Sequence, residues 1–123
     1  MATSLGNINL IVSDLARSRT FYADVLGLEV DTRRSAPPSF VLFRAGTATV
    51  TLQEAGVVGA TVAPSDGVEV GFEVDDVEAV QARLAGAGVE VSPVQSMGWG
   101  RAVDARDPDG YRVTAFARGP QGR

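Results

Sequence analysis

Polar side chains that could do chemistry alternate with apolar ones along two predicted strands. Asn7 and Asn9 do so in one strand, and Glu69 and Glu73 do so in the other. Because successive side chains of a strand point to opposite faces, each strand has an apolar face for a helix and a polar face for solvent. The amides can orient a ligand by hydrogen bonds, and a desolvated Glu69 or Glu73 could act as a general base. A solvated surface carboxylate is the alternative, above all for Glu73, and Glu69 could equally pair with a cationic ligand.

The composition excludes several kinds of site. The chain of 123 residues has no histidine, cysteine or lysine, and all 11 basic residues are arginine. A serine or threonine nucleophile would therefore lack its usual activating base, and a metal ion would lack imidazole and thiolate ligands. The net charge of −4 without a basic stripe argues against a nucleic-acid partner. No apolar run reaches membrane-spanning length, so we expect a cytoplasmic protein with no membrane partner.

A repeat organises the chain. Residues 12–30 recur in weaker form as residues 74–91, with aspartates, glycines and valines in the same order and nearly the same spacing. Such self-similarity indicates two copies of one βαβββ module within a single domain, residues 1–123. Module one covers about 5–56, a linker poor in large side chains about 57–67, and module two about 68–119. Each module alone would have a marginal core, so we expect the modules to share sheets with each other or with a second chain.

The secondary structure follows from periodicity and turn residues. Asp14 and Asp76 are the predicted N-caps of two helices, and Phe21 and Tyr22 lie on the core-facing stripe of the first. The predicted strands are 6–12, 28–33, 40–44, 47–54, 68–74, 89–94, 101–106 and 111–117, the helices end near 26 and 87, segment 95–100 is a loop, and 119–123 is a frayed tail.

Four motifs together resemble the glyoxalase/bleomycin-resistance/extradiol-dioxygenase superfamily, also called vicinal oxygen chelate proteins. They are Val12-Ser-Asp-Leu-Ala-Arg-Ser-x-x-Phe-Tyr22, Val25-Leu-Gly-Leu28, Phe72-Glu-Val-Asp-Asp76 and Asp107-Pro-Asp-Gly110. The resemblance implies an α+β fold in which the curled mixed sheets of two βαβββ modules form a cup-shaped cleft, with the helices on the convex side. It also implies a homodimer.

In metal-dependent members of that superfamily, four positions facing the cup hold the metal, usually as two histidines and two glutamates. Carried onto this chain, those positions are Asn7, Thr51, Glu69 and Thr114. Only Glu69 is an ordinary metal ligand, so the sequence predicts no metal and no other cofactor. We expect these polar groups to bind a ligand by hydrogen bonds, although they could instead bond one another or water.

Aromatic residues complete the predicted ligand site. The segment Trp99-Gly-Arg101 resembles the drug-binding, bleomycin-resistance branch, in which an aromatic wall stacks on flat groups of an antibiotic. Trp99 could instead pack at the seam of a dimer. The predicted ligand-binding residues are Asn7, Asn9, Phe40, Phe43, Thr51, Gln53, Glu69, Met97, Trp99, Arg112, Thr114 and Phe116. No residue is assigned a catalytic role.

The predicted function is therefore binding without chemistry. We expect a metal-free antibiotic-binding protein that sequesters a flat, partly aromatic natural product such as bleomycin, a mitomycin, a quinoxaline-type peptide or an enediyne. The net acidity favours a cationic ligand slightly. The first alternative is a metal-free enzyme on the same scaffold with Glu69 as general base. The second, a metal-dependent lyase or dioxygenase, lacks its ligand set.

Overall fold

The computed structural model describes residues 2–119. The chain divides into two compact units, Met1–Ala63 and Pro64–Arg123, here called unit one and unit two. The boundary falls inside the segment 57–67, where the sequence places a linker. Of the predicted tail 119–123, residues 120–123 lie outside the described part of the chain.

Unit one is a four-stranded mixed sheet with one helix against it. Its elements are β1 (Asn7–Val12), α1 (Leu15–Thr20), a π-helical turn (Phe21–Val25), β2 (Glu29–Val30), β3 (Phe40–Ala45), β4 (Ala48–Glu54) and α2 (Ala55–Val58). The strand order is β1-β4-β3-β2, with β1 parallel to β4 and the other pairs antiparallel. Helix α1 lies against β3 and β4 and covers the buried side chains of Leu10, Val12, Val41, Val50 and Leu52.

The first helix changes its winding halfway along. Asp14 caps α1 as predicted, because its carboxylate accepts a hydrogen bond from the Arg17 N–H at 3.0 Å. The sequence predicts one helix to about residue 26, but from Phe21 onward the helix is π-wound, and the Leu26 N–H donates to the Phe21 carbonyl. The wider turn lets two consecutive aromatic residues, Phe21 and Tyr22, both reach the core, where their rings meet edge to face at 5.0 Å.

Unit two repeats the plan. Its elements are β5 (Glu69–Glu73), α3 (Val77–Gly86), β6 (Gln95–Met97), β7 (Gly100–Arg106) and β8 (Arg112–Arg118), in the order β5-β8-β7-β6. Strands β5 and β8 are parallel, and α3 lies against β7 and β8. The predicted fold class is confirmed, since the chain is α+β with two four-stranded mixed sheets of matching topology. No helix within residues 2–119 combines the length and apolar character needed to cross a membrane.

One predicted strand of unit two is wrong. In the segment 89–94 only Val91 forms an isolated bridge, to Ala105, while Gln95–Met97, predicted as part of a loop, pairs with β7 as β6. Pro93 has no N–H to donate, and the Ser92 hydroxyl accepts from the Asp104 N–H at 2.9 Å. The Ser92 hydroxyl thus takes the place of a backbone carbonyl as acceptor for the Asp104 N–H, and regular pairing with β7 starts at Gln95.

Two boundaries in unit one also differ from the prediction. Strand β2 ends before 33 because the Asp31 carboxylate accepts hydrogen bonds from the N–H groups of Arg33 and Arg34, both at 3.1 Å, which turns the chain. The predicted boundary between module one and the linker, near residue 56, lies within the short helix α2, Ala55–Val58, which continues directly from β4.

Candidate functional site

Each sheet has a face opposite its helix, here called the open face. In unit one the open face carries Asn7, Asn9, Thr49, Thr51 and Gln53. The Asn7 Oδ1 accepts hydrogen bonds from the hydroxyls of Thr49 at 2.7 Å and Thr51 at 3.0 Å. The Asn9 Nδ2 donates to the Gln53 Oε1 at 2.6 Å. The predicted polar residues of module one are therefore brought together, and they bond one another.

Phe43 is not available to a ligand, which corrects the prediction. It lies opposite Val50 in the β3–β4 register, its side chain is fully buried, and its ring packs 6.2 Å from that of Tyr22. Leu42, one residue away, lies opposite Thr51 and so shares the open face. Phe40 has the same parity as Leu42 and does belong to that face. Alternation along β3, counted from its register with Thr51, would have separated Phe43 from Phe40 and identified Leu42.

On the open face of unit two, Glu69 is held by an arginine. The Arg112 Nη2 lies 3.1 Å from the Glu69 Oε2, and the Arg112 Nη1 donates to the Asp66 carbonyl at 2.7 Å. Arg106 binds the Asp66 carboxylate at 2.7 Å, and that hydrogen bond is the main cause that lowers the pKa of Asp66. The carboxylate predicted as base or cation site is thus part of a network of arginines and acids.

The open face of unit two also carries a carboxylate, Asp104, that was not among the predicted site residues. The Thr114 hydroxyl donates to the Asp104 Oδ1 at 2.8 Å, and Thr114 is almost fully buried. The two residues lie opposite each other in the β7–β8 register. The turn at 107–110 fixes that register, so counting back from it would have placed Asp104 beside Thr114.

Trp99 and Phe116 form an aromatic pair at the edge of the same face. The Trp99 side chain, at the turn between β6 and β7, is 48% exposed, and its ring meets that of Phe116 edge to face at 5.6 Å. The Arg118 guanidinium lies 5.5 Å from the Phe116 ring centroid. A Cβ on Gly71 would stand 3.2 Å from the Phe116 ring, so glycine at this position lets the ring lie close over β5.

These groups surround an open depression of about 620 Å³, here called the aromatic depression, which is lined by Glu69, Gly71, Trp99, Thr114, Phe116 and Arg118. A second depression of about 550 Å³ shares Glu69 and is also lined by Asp104, Arg106 and Arg112. Met97, a predicted ligand-binding residue, lines neither depression. It is the last residue of β6 and lies opposite Gly100 of β7. Unit two therefore offers one aromatic and one charged depression. Both are of the size of small-molecule sites.

The residues present do not fit a catalytic metal ion. Three of the four positions that the resemblance assigns to ligands are neutral, and Asn7, Thr51 and Thr114 all take part in the hydrogen bonds described above. The fourth, Glu69, is ion-paired. Among residues 2–119 no group of three or more histidine, cysteine, aspartate or glutamate side chains could hold a metal. The donor set thus lacks both the number and the kind of ligands that such a site needs.

A comparison with models of protein families identifies the family. Residues 4–114 match the model of the Glyoxalase/Bleomycin resistance protein/Dioxygenase superfamily. No curated protein matches the chain.

Solved structures share the fold over nearly the whole chain. TnmS3, an antibiotic binding protein from a Streptomyces species, is 22% identical, with 97% of this chain and 99% of that one covered and a TM-score of 0.75. A lactoylglutathione lyase from Agrobacterium tumefaciens is also 22% identical, with 94% of each chain covered and a TM-score of 0.72. A protein of unknown function from the same organism is 26% identical, with 97% of each chain covered and a TM-score of 0.76. A binding protein and an enzyme thus share this architecture at the same identity, so the choice between them depends on the site.

Proposed function

Because this chain belongs to the glyoxalase/bleomycin resistance protein/dioxygenase superfamily, we propose that it binds a flat, partly aromatic natural-product antibiotic and releases it unchanged. Such sequestration would protect a cell without any chemistry. The observation that carries the proposal is the aromatic depression, where an exposed Trp99 and Phe116 lie beside an open volume of about 620 Å³. Aromatic rings stack in offset or edge-to-face arrangements, so this pair offers a surface to a planar ligand.

Three further observations support binding rather than catalysis. The four positions that hold the metal in metal-dependent relatives have an unsuitable donor set, so we propose that the protein acts without a metal. Glu69, the general base of the alternative enzyme function, pairs with Arg112 at 3.1 Å. The structural similarity to TnmS3, an antibiotic binding protein, also supports binding. As the resemblance implies, we also propose a homodimer as the functional form.

The test uses the only tryptophan of the chain as its probe. Purified protein is titrated with a panel consisting of bleomycin, mitomycin C, a quinoxaline-type peptide and an enediyne, while Trp99 fluorescence is recorded. We expect saturable quenching by at least one compound, and chromatography should recover that compound intact after prolonged incubation. The Leu5→Ala variant, changed at an exposed apolar side chain of unit one, should bind equally well.

Time-dependent conversion of the compound to a product would instead support a metal-free enzyme. Elemental analysis of the purified protein should find no stoichiometric transition metal, and added Ni²⁺, Zn²⁺, Fe²⁺ or Mn²⁺ should leave the binding curve unchanged. A metal content that survives mild chelation would contradict the proposal.

A further inference from the structure

We infer that the ligand of the aromatic depression carries an anionic group, such as a carboxylate, phenolate or sulfonate, next to its ring system, and that Arg118 holds this group. The inference rests on the proposed function and narrows the class of ligand. It starts from the two charged residues that line the depression, Glu69 and Arg118. Of these two, only Glu69 forms an ion pair within residues 2–119, with Arg112.

Glu69 is already neutralised. Arg112 pairs with it at 3.1 Å and is fixed in place by a second bond to the Asp66 carbonyl. A ligand cation would have to compete with this guanidinium for the carboxylate. The depression therefore does not favour the cationic ligands that the net charge of −4 suggests, because the local charge near the ring is set by contacts and not by the total.

Arg118 is in the opposite situation. Within residues 2–119 no carboxylate forms an ion pair with it, and its guanidinium lies 5.5 Å from the centroid of the Phe116 ring. Glu73 shares the open face and lies opposite Phe116 in the strand register, but it does not line the depression. Arg118 also lines a neighbouring depression with Asp75, Asp76 and Glu78, but within residues 2–119 none of these carboxylates forms an ion pair with it, and Glu78 pairs with Arg101. The guanidinium at the aromatic wall is therefore available to an anionic group of a ligand.

The geometry brings this charge within reach of a stacked ligand. Both the Trp99 ring, at 5.6 Å, and the Arg118 guanidinium, at 5.5 Å, are neighbours of the one Phe116 ring. A planar ligand resting on these aromatic rings would therefore have the guanidinium at its border. The planar fork of an arginine binds carboxylate and related oxyanions through two parallel hydrogen bonds, a match that a neutral amide cannot reproduce.

The test compares three probes with the same ring system, namely anthraquinone-2-carboxylate, anthraquinone-2-carboxamide and 2-(aminomethyl)anthraquinone. Trp99 quenching gives the Kd of each. We expect the carboxylate to bind about tenfold more tightly than the carboxamide, which is the size of one charge-assisted hydrogen bond at a partly exposed site, and the amine to bind most weakly. Raising the salt concentration from about 50 mM to about 500 mM should reduce this preference.

Arg118→Gln should remove the preference for the carboxylate while leaving the Kd of the carboxamide nearly unchanged. Arg19→Gln is the matched control, because it changes an exposed arginine of α1 and alters the net charge equally. It should keep the full preference. Arg118→Lys retains the charge without the fork and should keep part of the preference. This second variant preserves the test if the glutamine variant is unstable.

The outcomes separate the two proposals. Equal Kd values for carboxylate and carboxamide in the unmodified protein, or a preference that persists in Arg118→Gln, would overturn the role of Arg118 and leave the aromatic binding site intact. Tighter binding of the amine would overturn it as well. If no probe and no antibiotic of the panel quenched Trp99 saturably, the proposed binding function itself would fail, and the inference with it.

Discussion

Replacing Trp99 with alanine tests the aromatic depression directly. The indole is 48% exposed, and a tryptophan side chain has up to about 250 Å² of surface, so about 120 Å² is open to a ligand. Covering all of it would contribute about 3 kcal/mol at 25 cal/mol per Å². A planar ligand covers one face, so about half of this value applies, and stacking adds about 0.5–1.5 kcal/mol. The two terms together give about 2–3 kcal/mol, so we expect Trp99→Ala to weaken binding by between about thirtyfold and about 150-fold.

The assay has to be independent of tryptophan fluorescence, because the variant lacks it. Isothermal titration calorimetry with anthraquinone-2-carboxylate, and with any antibiotic that binds the unmodified protein, gives the Kd of both forms. At the same 25 cal/mol per Å², the buried half of the indole contributes about 3 kcal/mol to folding, and its contact with Phe116 adds about 0.5–1.5 kcal/mol. The titration therefore uses variant protein whose circular dichroism spectrum matches that of the unmodified protein. Leu5→Ala removes a more exposed apolar side chain from unit one and should change neither quantity appreciably. A folded Trp99→Ala protein whose Kd stays within about twofold of the original would refute the stacking argument.

Four further predictions concern the fold and the assembly. Ser18 is fully buried in α1, and its hydroxyl has no hydrogen-bond partner within residues 2–119, so Ser18→Ala should raise the free energy of unfolding in urea by about 1 kcal/mol. Ser35→Ala, by contrast, should lower it, because the Ser35 hydroxyl donates to the Asp31 carbonyl at 2.7 Å and accepts from the Leu42 N–H at 2.9 Å. The hydrogen bond from Arg34 is the main cause that lowers the pKa of Asp31 from 3.8 to about 2. Because the folded state favours the ionised Asp31 carboxylate, the unfolded chain binds a proton there more readily than the folded chain does. The ionised carboxylate therefore stabilises the fold fully above about pH 4, and this stabilisation is lost as the pH falls to about 2. Asp31→Asn should accordingly have a lower urea midpoint at pH 7, with a difference from the unmodified protein that shrinks over that range; a constant difference would contradict the argument. Finally, sedimentation equilibrium should give the mass of a homodimer, and a monomer mass that does not change with concentration would count against it.

Much of the fold is determined locally and could be predicted from the sequence. Asp14 and Asp76 begin helices because an aspartate accepts hydrogen bonds from backbone N–H groups two or three residues on. Gly27 follows the first helix with a positive φ of 83°, a conformation that costs a glycine little. Strand alternation and the internal repeat then gave two modules of one topology. The absence of histidine and cysteine limited the chemistry before any geometry was known.

The wrong predictions concern residues whose position depends on how two strands pair. Phe43 faces the core because β3 pairs with β4 in one register, and a shift of one residue would have exposed it. Regular strand pairing occurs at Gln95–Met97 and not at 89–94, because the Ser92 hydroxyl accepts the hydrogen bond from the Asp104 N–H. Neither outcome follows from the pattern of one strand alone, since each depends on the neighbouring strand and its register.

In the candidate site, too, the sequence determined some properties and the tertiary structure determined others. The sequence by itself determined which side chains were available, since it supplied one tryptophan, no imidazole or thiolate, and a carboxylate at only one of the four ligand positions. Only the tertiary structure decided how their charges combine. It paired Glu69 with Arg112, 43 residues away, and left Arg118 beside Phe116 without an acidic partner within residues 2–119. The physical reason is that electrostatic interactions depend on distance in space, and parallel pairing of β5 with β8 sets those distances only once the sheet has formed.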